Sequence, residues 1–163
     1  LSRADYVLGR LLVIAGLLSL VTWLPGTLLF AVQWGMNGWE WFTAGWRLGL
    51  GLVAGFCAWI LLVSLVALAC SAYTRWRIVA GALTLGFFFV LGGAAGLLQS
   101  VFRADWSRML NPALAMNQVW RALLGAELEP GPGPFACAAG LAVMALLLGL
   151  VLERKLRPVE VVR

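Results

Sequence analysis

The chain contains no histidine. That absence removes His-ligated haem, His-based zinc sites and imidazole general bases together. Charge is scarce as well, with Lys, Arg, Asp and Glu making up 12% of the 163 residues. The three cysteines, Cys57, Cys70 and Cys137, are an odd set that builds no disulfide framework. They fall in apolar stretches, where cysteine acts as a small hydrophobe. No Gly-x-x-x-x-Gly-Lys-Ser/Thr run occurs, so this chain has no P-loop for ATP. Asp105, Glu127 and Glu129 lack metal-ligand spacing and read as a solvated loop. Ser19, Thr22, Thr27, Ser64 and Thr84 have no base partner, so they read as packing groups or cavity lining. We therefore expect no catalytic residue, metal or cofactor in the chain itself.

What the chain does have is apolar length. It is 63% hydrophobic with a mean hydropathy of +0.94, against roughly 45–50% apolar residues in soluble proteins. No ionisable charge occurs between Arg10 and Glu40, between Arg77 and Arg103, or between Glu129 and Glu153. Between Arg47 and Arg75 there are only Tyr73 and two thiols. A helix crosses about 30 Å of hydrocarbon with about 20 residues, and each window exceeds that. A mid-membrane charge costs roughly 2.5–3.5 kcal/mol, which explains the clearing. The sequence thus predicts an all-α, polytopic membrane helix bundle that forms a single transmembrane domain over 1–163. Four spans are expected at about 11–31, 48–71, 78–100 and 134–153. With no charge in their central portions, the spans argue against a proton relay or an intramembrane enzyme.

Four crossings place both ends on one side. That side would carry Arg3, Arg10, Arg75, Arg77, Arg154, Lys155, Arg157 and Arg163. The other would carry Arg47, Arg103, Arg108 and Arg121. The bias predicts cytoplasmic termini, and it accounts for the net charge of +5 without nucleic acid. Trp34, Trp39, Trp41, Trp46, Trp106 and Trp120 then fall in or beside the outer segments, as in an interfacial aromatic belt. Gly35 to Arg47 is expected to form a short helix lying in the outer headgroup layer. The short link Ala72 to Arg77 makes spans two and three antiparallel neighbours.

In the longer outer loop, Asn111 and Pro112 form an N-cap and first-turn proline. They open an amphipathic helix over about 111–125, interfacial or re-entrant, which Gly125 ends. The run Glu129 to Pro134 breaks structure before the last span. Pro25 should kink span one. Gly51-x-x-x-Gly55 and Gly92-x-x-x-Gly96 permit close approach and are expected to serve packing within the bundle. The start at Leu1 rather than at methionine leads us to expect an upstream portion.

The segment with Ser2, Arg3, Tyr6, Leu8, Gly9 and Arg10, leading directly into a span, resembles the coupling signature of type-2 ATP-binding-cassette (ABC) exporter permeases. Pro25-Gly26, the run Ser71, Thr74, Arg75 and Arg77, the pair Asn111-Pro112 and the basic tail Arg154-Lys155-Leu156-Arg157 resemble that family too, in order and spacing. Such permeases usually have six membrane helices. The resemblance implies that these four are helices three to six, with two more before Leu1. It also implies a homodimer in the cell (inner) membrane that moves a substrate out of the cytoplasm. ATP and Mg would act on a separate ATPase subunit, touched here by Ser2, Arg3, Tyr6, Arg10, Tyr73, Arg75 and Arg77. The uncharged spans favour a hydrophobic or amphipathic cargo. The rival expectation is a non-transporting membrane scaffold or assembly factor.

Overall fold

In a computed structural model, residues 3–74 and 76–156 are described, and all of their regular structure is helical. Helix α1 runs from Arg3 to Tyr73, α2 from Arg77 to Phe102, α3 from Pro112 to Leu124 and α4 from Pro134 to Leu156. A 3-10 turn, Asp105–Leu110, joins α2 to α3. Among the described residues three helices are long and apolar enough to cross a membrane, with apolar spans Leu8–Tyr73, Ile78–Phe102 and Pro134–Lys155.

Helix α1 is two helical arms. Its backbone leaves helical dihedrals at Gly38, with φ 74° and ψ −171°. That region is open essentially to glycine alone, so the Asn37-Gly38 pair is where the chain can reverse. The arms then lie antiparallel. Phe30 meets Trp41 and Phe42 at ring separations of 5.3 and 6.3 Å near the tip. Trp23 meets Phe56 further along at 6.5 Å. Gly26 gives the arms room, since a Cβ there would stand 2.8 Å from the Phe56 ring.

The expected short helix over 35–47 is not a separate element; the segment is the meeting point of two long arms. Trp34, Trp39 and Phe42 pile on one another there at 4.9–5.8 Å. Local sequence favours helix on both sides of Gly38, so nothing but that glycine stops either arm. Pro25 stays within the first arm with helical dihedrals, and the break falls at Gly38.

The second arm is the centre of the bundle. Ile60, Leu62, Val66, Leu68 and Ala69 are buried, and α2, α3 and α4 all pack against α1. The outward faces are apolar: Leu17, Val21 and Leu29 on the first arm, Ile78 and Phe89 on α2, and Phe135 and Leu146 on α4 stand exposed. A water-soluble monomer rarely exposes contiguous apolar patches above a few hundred Å². Such an exterior suits a hydrocarbon solvent, and the chain is a membrane protein.

Gly51 and Gly55 admit α3 onto the second arm. A Cβ at Gly51 would lie 2.7 Å from the Leu123 carbonyl oxygen, and one at Gly55 would overlap the Trp120 indole. The ring of Trp120 stands edge-on to Phe56 at 5.4 Å. The small-residue pair therefore seats the short helix, while Gly92 faces Asn111 and Gly96 meets nothing within 4 Å.

Candidate functional site at the two ends of the bundle

The tip end, where the arms of α1 turn, is tied together by polar bonds. Asn111 Oδ1 accepts from the Ala113 and Leu114 amides at 3.0 and 3.4 Å and so caps α3. Gly125 closes the helix in the left-handed conformation. The following loop folds back on the polar face of α3. Buried Gln118 donates to the Glu129 carbonyl at 2.8 Å and accepts from the Glu129 amide at 3.1 Å. Arg121 pairs with the Glu129 carboxylate at 2.7 Å and donates to the Glu127 carbonyl at 3.0 Å. Arg108 donates to the Pro130 carbonyl at 2.6 Å. Of the three loop acids expected to be solvated, Asp105 and Glu127 are exposed, whereas Glu129 is locked.

These bonds anchor a loop; they offer no nucleophile beside a base. Among the described residues no group of three metal-ligating side chains occurs. Thr22, Thr27 and Thr84 donate their hydroxyls to carbonyls one turn back, as packing groups do. Ser64 is wholly buried with no hydrogen-bond partner among the described residues.

The opposite end holds a cleft of about 340 Å³. Arg10 and Ile14 line it from the first arm, Ala67, Ser71 and Thr74 from the end of the second, and Trp76, Ala80, Gly81 and Thr84 from α2. The connection that makes it is short: α1 ends at Tyr73 and α2 begins at Arg77, with extended Trp76 at the cap. Beside it the Lys155 ammonium lies 4.9 Å from the Tyr73 ring centre, which brings the end of α4 to the same place.

Of the residues expected to touch a partner, Arg10 lines this cleft and Tyr73 stands next to it under Lys155. Arg3 and Tyr6 fall on the opening turns of α1, and Arg77 opens α2. Ser2 and Arg75 lie outside the described residues.

No family model, curated protein or solved structure matches this chain. The site therefore has to be read from its own geometry. Sequence reasoning did not single out Trp76 as a cleft residue or Gln118 as a buried bridge, whereas Thr84, read as a packing group or cavity lining, does line the cleft. Both missed residues depend on which helices become neighbours, and the one local signal was the polar face of α3 that carries Asn117, Gln118 and Arg121.

A second, almost entirely apolar groove of about 630 Å³ lies between α2, the 3-10 turn and α4, with Phe87, Trp106, Met109 and Met144 among its walls. Its lining side chains include no titratable or nucleophilic group.

Proposed function

We propose that this chain is the membrane permease part of a type-2 ABC exporter, with four crossings, both termini cytoplasmic, and residence in the inner membrane. The first arm, second arm, α2 and α4 are the crossings, and α3 lies at or dips into the outer interface. ATP and Mg bind a separate ATPase subunit, two permease chains form the assembly, and the cargo is hydrophobic or amphipathic.

One observation supports this most. The start of α1 and the link between α1 and α2, the segments the resemblance assigns to the ATPase, converge at one end of the bundle around a single cleft. ATP-driven closure of a partner has to be transmitted by rigid elements, and a link of three residues between two helices cannot absorb it by flexing.

The test is purification from native membranes followed by identification of a P-loop subunit, then vanadate-sensitive efflux from reconstituted vesicles. Charge reversal at Arg75 and Arg77 should reduce ATPase recovery while membrane insertion is retained. Full recovery with both charges reversed overturns the contact. Insertion with no vanadate-sensitive efflux would favour a scaffold.

A further inference from the structure

We infer that the groove between α2 and α4 is a binding site for one fatty-acyl chain of a membrane lipid, recognised by its hydrocarbon and not by its headgroup. The two helices are held near each other through other elements. Each packs on α1 and on the 3-10 turn, but among the described residues their backbones nowhere approach one another. The turn bridges them at the tip end, where Met109 meets α4 at Gly140; a Cβ added to that glycine would lie 3.5 Å from the Met109 methyl. From this bridge the groove follows α4 along Ala139, Val143, Leu147 and Val151, one residue in four on a single slanted ridge. Phe87 and Leu91 of α2 supply the other wall. The twelve-residue rise from Ala139 to Val151 makes the groove about 18 Å long. One leaflet, half of the roughly 30 Å hydrocarbon core, is about 15 Å deep. Trp106 lines the end beside the turn, and its amphipathic ring suits the headgroup level.

Size selects the occupant. Spread over that length, about 630 Å³ is a mean cross-section of about 35 Å². A helix 10 Å across needs roughly 80 Å², so a helix of a second copy does not seat between these walls. An unbranched hydrocarbon chain is narrower, and rotation about its bonds lets it follow the ridge. Composition narrows the choice further. The lining has no titratable or nucleophilic side chain, so it offers nothing to the charge of a headgroup or of a polar ligand. Met109 and Met144 are flexible thioethers that adapt to a chain of varying conformation. Filling matters, because walls with no atoms between them forfeit their dispersion contacts. Val143 and Leu147 are exposed, so the groove opens sideways to the bilayer, from which a chain can enter. The inference rests on this chain lying in a membrane and not on an ATPase partner.

The test uses the purified full chain in phosphatidylcholine vesicles that include phosphatidylcholine with a photoactivatable diazirine on one acyl chain. Adducts are mapped by mass spectrometry of the digested protein. Label on Phe87, Met109, Met144 and Leu147 should exceed label on the freely exposed Leu17, Val21 and Phe89 about fivefold, an advantage of about 1 kcal/mol. Phosphatidylglycerol with the same chain should give the same pattern. Val143→Trp and Ala139→Phe each narrow the groove, and should bring wall labelling down to that of Leu17 while the helical circular dichroism is unchanged. Val21→Trp, on the first arm, should leave the ratio as it was. Even labelling of walls and outer faces means annular lipid only and overturns the site, as does wall labelling unchanged in both groove variants. Labelling that follows the headgroup overturns recognition by the chain. Copy-to-copy cross-linking through Val143→Cys, with the walls unlabelled, gives the groove to a second copy and overturns the lipid assignment.

Discussion

A methyl group added at Gly55 should push Trp120 out of its seat. The Cβ of Gly55→Ala would overlap the Trp120 indole, whose buried Nε1 already lacks a partner and whose ring is held edge-on to Phe56. Helix association in a membrane gains little from apolar burial, because lipid is as apolar as the core, so close packing decides it. Overpacking of this kind costs about 1–3 kcal/mol. That is between roughly five- and 150-fold in the unfolding equilibrium. The sign should reverse once the indole is gone. In a Trp120→Ala background only helix propensity remains, and alanine is favoured over glycine by about 0.5–1 kcal/mol. Reversible detergent denaturation of the four chains of this cycle measures both effects. Equal destabilisation by Gly55→Ala in the two backgrounds would refute the packing argument.

Other outcomes follow from the same structure. Gln118→Leu leaves the Glu129 amide and carbonyl without their partner and should cost about 1–3 kcal/mol in the melt. Glu129→Gln removes the carboxylate charge that faces Arg121 at 2.7 Å and Arg108 at 4.0 Å, in partly exposed pairs, and should cost about 1 kcal/mol or less. Asn111→Ala should destabilise by about 1 kcal/mol and speed amide exchange at Ala113 and Leu114, while Asn111→Asp retains the cap. Gly38→Ala forces a side chain into a dihedral region costing about 1–3 kcal/mol. It should lower cross-linking between cysteines placed at Phe30 and Trp41.

Legibility from sequence tracks range along the chain. Asn111, Pro112 and Gly125 delimit α3 because caps are decided within a few residues, and the link between Tyr73 and Arg77 follows from the charges around it. The separate short helix expected over 35–47 is instead the junction of two long arms, because aromatic richness marks an interface without saying how the backbone reaches it. Gly38 decided that, through one dihedral pair. The Gln118–Glu129 bridge and the cleft were not legible. Each joins residues from segments that are neighbours only after the helices pack.

The polar fastenings described here sit where Gln118, Arg121 and Arg108 hold the loop, while the first arm and α2 stand apart around the cleft at the far end. Rods pinned at one end turn applied force into leverage. A rod of about 30 Å pivoting by about 5° at its fixed end sweeps about 2–3 Å at its free end. Leverage of that kind would make the cleft end, and not the fastened tip, the place where the spacing of the first arm and α2 is most easily changed.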